Sequence, residues 1–264
     1  MNNNEREETN MNIIPYEYFV NEDTLNIFTD ASIIHRKINY AGSMHVYYIG
    51  SPGAEIYLGD RMISTYHTVL PHCTNNQSEI TAIEYGVNRG YQYTELNKVK
   101  NINIFSDSKI CIYGIREWIF NWIKNMNDGI LYSTSGEVAN QLHFISIIRS
   151  VLYHSRPIRF YHIRGHFNSS SFKERKKFNE SFMRENYINT YLDERLIDFF
   201  IRANDSVDNI TRNELKRIPE QTLFYYDNIA RKILEFPQKE RLFNWDAYIR
   251  SLDLNKYKQL IGGI

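Results

Sequence analysis

Four carboxylates stand where a fold could gather them. Asp30 and Asp107 end two apolar runs, Glu79 lies in the first turn of an amphipathic stretch, and Asp208 sits in a late charged helix. They are separated by 49, 28 and 101 residues, so only tertiary structure can make them neighbours. Three or four carboxylates brought together repel one another unless a cation sits among them. Oxygen-only ligands suit Mg2+ or Mn2+ better than zinc, and a pair of such ions can activate water and steady the leaving oxygen of a phosphodiester. Singly, each acid has an ordinary alternative. Asp107, between Ser106 and Ser108 and ahead of a helix, suits a helix cap. Glu79 near a helix start suits the helix dipole, and His166 in RGH is an ordinary loop histidine.

The elements that must position these groups follow from periodicity. LNIFTDAS (25–32) reads as a buried strand ending at a polar turn. GSMHVYYIG (42–50) and EIYLGDRMISTYHTV (55–69), split by Ser51-Pro52-Gly53-Ala54, read as a hairpin. SEITAIEYGVNRGYQ spaces Ile80, Ile83 and Val87 as one helical face that closes near Gly90. INIFSD (102–107) reads as a strand that runs into a helix with Ile112, Ile115, Ile119 and Trp122 as its stripe. A helix over 137–153 and a strand over 157–166 complete the order β-β-β-α-β-α-α-β. Strands separated by helices predict the α/β class, with a five-stranded mixed sheet flanked by helices.

In sequence order, these motifs resemble type I ribonuclease H. TDAS (29–32) is similar to the family's TDGS, TNNQSE (74–79) to TNNxxE, SDSK (106–109) to TDSx, RGH (164–166) to KGH, NDSVD (204–208) to NxxxD, and GIREWIFNW (114–122) to GIxxWIxxW. The resemblance covers roughly 25–216 and implies a ribonuclease H-like fold and an endonuclease that cuts the RNA strand of RNA–DNA hybrids. It implies Asp30, Glu79, Asp107 and Asp208 as ligands of two Mg2+ ions, with Mn2+ as a substitute. By the same resemblance His166 is a proton shuttle or an aid to product release, a role its usual pKa near 6.5 allows. Asn75 and Asn76 would meet the RNA strand in the minor groove, Thr74 a DNA phosphate, and Trp118 and Trp122 the DNA strand, with Lys109 a further substrate contact. Core packing is the alternative for both tryptophans.

The chain also departs from the family. Ala31 replaces a glycine, and SIIHRKINYAG replaces a glycine-rich turn. The loop after Trp122 carries a single lysine where bacterial members often have a basic handle. His166 and Asp208 are 42 residues apart, much farther than is usual in the family, which implies a helical insertion at about 168–203. Its run Lys173, Arg175, Lys176, Lys177 suits phosphates or, alternatively, a solvated helix face. The insertion also leaves Asp205 as a competitor for Asp208.

Lysine plus arginine equals aspartate plus glutamate at 31 each, for a net charge of zero, which on its face argues against a strongly basic nucleic-acid binder. Residues 1–23, however, hold six acids against Arg6 alone, which leaves a mild basic excess elsewhere. The expected organisation is a disordered acidic tail over 1–23, a catalytic domain over 24–216, and a helical C-terminal appendage over 217–264. Cys73 and Cys111 cannot build a disulfide framework. No apolar run approaches a membrane span, and the N-terminus lacks signal-peptide order. The expectation is a cytoplasmic protein with no membrane partner, the insertion and appendage being places where a protein partner could dock. Two other readings stay open: a nuclease of this fold acting on another nucleic acid, and a non-catalytic hybrid-binding or interaction module.

Overall fold

Alternation along the strands determines the architecture. Leu25, Ile27, Ile102, Ile104, Ile158 and Phe160 bury themselves on one face of a sheet, whereas Phe28, Tyr57, Phe105 and Tyr161 bury themselves on the other, so both faces need a layer of helices. The computed structural model describes residues 12–40, 42–96, 99–165, 167, 171–219 and 244–262. In chain order these form β1 (Ile13–Ile14), α1 (Tyr16–Phe19), β2 (Thr24–Tyr40), β3 (Ser43–Leu58), β4 (Arg61–His67), β5 (Leu70–Pro71), α2 (Asn75–Leu96) and β6 (Asn101–Ser106). Next come α3 (Lys109–Tyr113), a π-helical turn (Gly114–Trp118), α4 (Ile119–Lys124), β7 (Tyr132–Ser133), β8 (Gly136–Glu137), α5 (Gln141–His154) and β9 (Ile158–His162). Last are α6 (Phe172–Glu185), β10 (Tyr191–Leu192), α7 (Glu194–Arg217), α8 (Trp245–Arg250) and α9 (Leu254–Leu260).

The main sheet has the order β4-β3-β2-β6-β9, with β5 added beside β3. β2 runs antiparallel to β3 and parallel to β6, and β6 runs parallel to β9. This is the expected mixed sheet with helices on both faces. α2, α5 and the helices after β6 supply one core, and α6, α7 and Phe19 supply the other.

Several local expectations need correction. Ser51-Pro52-Gly53-Ala54 is no turn: all four lie inside β3, which pairs with β2 without interruption from Leu25↔Leu58 to Tyr40↔Ser43. The reason for the glycine is contact, since a Cβ at Gly53 would come within 2.6 Å of Thr211 Cγ2 on α7. The real turn is at Gly59-Asp60, and β2 runs on through the stretch expected to leave the sheet after Ser32. The helix expected to close near Gly90 extends to Leu96. Gly86 and Gly90 sit inside it because they press on Thr29, Ile27 and Ile102.

Part of the stretch expected as an acidic tail is packed. Residues 1–11 lie outside the described residues, but from Ile13 onward the chain packs. Phe19 is fully buried among Phe105, Tyr161, Phe182 and Phe200, and its carbonyl accepts from Asn26 Nδ2 at 2.8 Å. The stretch at 168–203 is likewise no accessory: Phe178, Phe182, Leu196 and Phe200 from α6 and α7 form the second layer. At the C-terminus α8 and α9 dock on the first core through Ile249, Tyr257 and Ile261. Residues 220–243 of the expected helical appendage lie outside the described residues. Among those described, no helix is long and apolar enough to cross a membrane.

Candidate active site

Register brings two of the acids together. Thr29 pairs with Ser106 across the parallel β2–β6 ladder, so Asp30 and Asp107 follow side by side. α2 delivers Glu79 and α7 delivers Asp208 to the same place, and all four line one cavity of about 490 Å3 that also includes Asn75, Asn204 and Arg212. Asp205, the competitor in sequence, does not line it.

Electrostatics mark this cavity as strained. Asp30 is only 6% exposed. Burial, followed by the charge of Asp107 and the smaller contributions of Asp208 and Glu79, pushes its carboxyl up to about 8, against an opposing hydrogen bond from the Ala31 N–H at 2.7 Å. Burial also raises Glu79, as does Asp107, while hydrogen bonds from Ser108 and Asn75 pull it down. Asp208 is held by Arg212, Nε to Oδ1 at 2.7 Å, and Glu79 by Asn75 at 2.6 Å. With those partners engaged, no three described carboxylate, imidazole or thiol groups converge on one point.

The donor chemistry nevertheless fits a hard cation. The acids offer oxygen alone, their mutual repulsion is what a divalent ion would relieve, and among the described residues the buried Oδ1 of Asn204 has no partner. Sequence reasoning missed Asn204 and Arg212 as site residues. Their signals were available: Asn204 opens the NDSVD motif, and Arg212 stands one helical turn after Asp208. The backbone carbonyl of Asp107 is also held, accepting from His162 Nε2 at 3.1 Å. Burial lowers the His162 pKa, which favours the neutral ring with its proton on that nitrogen.

The remaining predicted residues divide. Thr74 caps α2, its Oγ1 accepting from the Gln77 N–H at 3.1 Å. Asn75 and Asn76 are exposed at the start of that helix. Asn76 lines a second cavity, of about 610 Å3, together with Trp118, Trp122, Ser133, Asn140 and Phe144. Trp118 is 37% exposed there, whereas Trp122 is 9% exposed and packs edge-on against Phe144. Gly114, in the π turn, makes room for both partners, since a Cβ would lie 2.6 Å from Phe144 and 3.1 Å from Trp122.

Lys109 lines neither cavity. It pairs with Glu185 at 2.9 Å and lies over the Tyr113 ring. His166 lies outside the described residues. Three of the four cations of the α6 run are paired within the chain: Arg175 with Glu194 and Asp198, Lys176 with Glu180, and Lys177 with Glu174, which favours the solvated-face alternative.

Comparison with known proteins gives one family. The family model for RNase H matches residues 22–179, stopping before Asp208. No curated protein matches the sequence. Among solved structures, similarity is found to RNase H1 from the halophilic archaeon Halobacterium salinarum NRC-1, at 12% identity and TM-score 0.35, covering 53% of this chain and 86% of that one. LC11-RNase H1 in complex with RNA/DNA hybrid is similar at 12% identity and TM-score 0.37, covering 61% and 97%. The foamy viral protease-reverse transcriptase in complex with RNA/DNA hybrid is similar at 14% identity and TM-score 0.42, covering 63% of this chain. The similarity spans only 20% of the viral chain. Because the family model matches more than half of its length, the chain belongs to the RNase H family.

Proposed function

We propose that the protein is a metal-dependent endonuclease that hydrolyses the RNA strand of RNA–DNA hybrids, leaving 5′-phosphate and 3′-hydroxyl ends. The observation that carries this reading is the cavity lined by Asp30, Glu79, Asp107 and Asp208, where burial and then its acidic neighbours raise Asp30. Those four residues would hold two Mg2+ ions, or Mn2+ in their place. When bound, the ions would activate the attacking water and neutralise charge on the leaving oxygen.

The chain's own residues supply position and selection. Asn75, on the rim of the acid cavity, and Asn76 beside it would read the RNA strand in the minor groove, where the 2′-hydroxyl separates RNA from DNA. Trp118 and Trp122, on the neighbouring cavity, would offer an aromatic wall to the DNA strand, and Thr74 would meet a DNA phosphate. His166 would move a proton or assist product release. Arg212 would give up Asp208 when a cation arrives. Labelled RNA–DNA hybrid, duplex RNA and duplex DNA, each incubated with the protein in Mg2+ and in Mn2+, test the proposal. Cutting confined to the RNA strand of the hybrid supports it, and cutting of duplex DNA alone overturns it.

A further inference from the structure

β2 and β3 do not stop at the catalytic cavity. Their pairing continues ten residues past Asp30, from Ala31↔Pro52 to Tyr40↔Ser43. At about 3.3 Å per residue this arm reaches roughly 33 Å beyond the acid cluster, comparable to ten base pairs at about 3.4 Å each. β4 does not follow it, since that pairing ends at Gly53↔His67, and β5 joins only at Ile49 and Gly50. Farther out the arm is a two-stranded ribbon.

The two faces of the ribbon differ. Ile34, Tyr47 and Ile49 pack against Leu215 and Ile218 at the C-terminal end of α7, and Arg36 donates to the Leu215 carbonyl. On the opposite face His35 meets Tyr48 edge-on at 4.5 Å, and Lys37 lies across from Val46. Met44, Val46 and Tyr48 are all exposed there, at 63%, 43% and 46%. By strand alternation this open face continues the side on which Leu25 and Ile27 pack with α2, the helix that begins with Asn75 and Asn76.

The arm's charge is equally one-sided. Residues 31–50 contain Arg36, Lys37, two histidines and three tyrosines, and no aspartate or glutamate, in a chain whose net charge is zero. Among the described residues Lys37 pairs with no carboxylate, in contrast to Arg175, Lys176 and Lys177 of α6.

We infer that this ribbon is a second nucleic-acid contact, lying along the hybrid duplex beyond the cleavage site, with Lys37 at its phosphates and the His35–Tyr48 pair against its sugar edges. The inference rests on the hybrid-nuclease reading and extends the same site. It gives the enzyme a duplex handle in place of the basic loop that the chain lacks after Trp122. A wide, shallow minor groove admits such a ribbon, and the apolar members of the face suit sugars while the cation suits phosphate.

The test is kcat/KM on 8-base-pair and 20-base-pair RNA–DNA hybrids between 50 and 200 mM KCl, for wild type, Lys37→Ala/Tyr48→Ala and Lys37→Arg. The double variant should lose roughly fivefold on the long hybrid, through KM, with its salt slope shallower by about 0.7–0.9 for the lost phosphate contact. It should match wild type on the short hybrid, and Lys37→Arg should match wild type on both. Equal losses on both lengths, or no loss on the long one, overturn the inference. If wild type cuts neither hybrid, the functional reading fails and the inference with it. If wild type cuts both and the double variant keeps pace, only the ribbon's role falls.

Discussion

Gly165, the middle residue of RGH, offers a sharp test of how the site is held. A methyl group there would stand 2.6 Å from Asp107 Oδ2 and 3.5 Å from its Cγ, whereas ordinary contact begins at 3.4 Å. In Gly165→Ala the carboxylate must therefore retreat by about 0.8 Å, and displacements of that size cost on the order of a hundredfold in rate. Stability should barely move. The atom that yields is the end of a side chain, the next contact, Asn204 Nδ2 at 3.5 Å, is comfortable, and alanine removes about 0.4–1 kcal/mol of unfolded-state entropy. Hybrid cleavage and a thermal melt on the same preparation check this, the expected result being a kcat reduced by about ten- to a hundredfold with KM and Tm little changed. An unchanged kcat, or a loss explained by a melting point lower by more than about 5 °C, would refute the reasoning.

Three further outcomes follow from the packing and charge described above. A carboxyl raised to about 8 when folded, against about 3.9 when unfolded, binds its proton more tightly in the native state. This group's contribution to stability without divalent metal should thus be fullest below about pH 4 and be lost as the pH rises through about 8. Asp30→Asn should melt higher than wild type at pH 8 in EDTA, by a margin that shrinks toward pH 5; a margin that is absent, or that does not shrink as the pH falls, contradicts it. Phe19→Ala should cost about 3–5 kcal/mol in urea unfolding, whereas a mobile tail there would give a change within about 0.5 kcal/mol. Trp118→Ala should raise KM for hybrid with little change in Tm, while Trp122→Ala should destabilise by about 3–5 kcal/mol, and equal Tm losses for the two would dispose of the distinction.

Much of the site is legible in the sequence because Asp107 follows a strand and Glu79 lies near the start of a helix, where local signals are strong. The runs into Asp30 and Asp107 read as strands, and their parallel pairing at Thr29↔Ser106 is what makes neighbours of residues far apart in the chain. The errors share one physical cause: local turn chemistry or polarity yields to a tertiary partner. Pro52-Gly53 carries a turn signal, yet Gly53 is there so that Thr211 can approach. The segment before Asp23 is acidic, yet Phe19 finds an aromatic pocket and Asn26 holds its carbonyl. Arg175 looks available in the sequence, but its partners Glu194 and Asp198 come from another helix, which no short-range pattern reveals. Asn204 and Arg212 carry only a positional signal in the sequence, and it is the placing of α7 at the cavity that brings them to the acids.

Net charge misleads for a related reason. The zero total includes acids confined to one cavity and an arm over 31–50 that has none, so a balanced chain still presents a cation-bearing surface beside its carboxylate cavity.

The central claim is that the carboxylate cavity is a metal-dependent centre for cutting RNA in a hybrid. Its most direct test is single-turnover cleavage of a labelled RNA–DNA hybrid in Mg2+, comparing wild type with Asp107→Asn. The account predicts metal-dependent cutting of the RNA strand by wild type and its loss in the variant, whereas cutting that survives the substitution or proceeds in EDTA would contradict it.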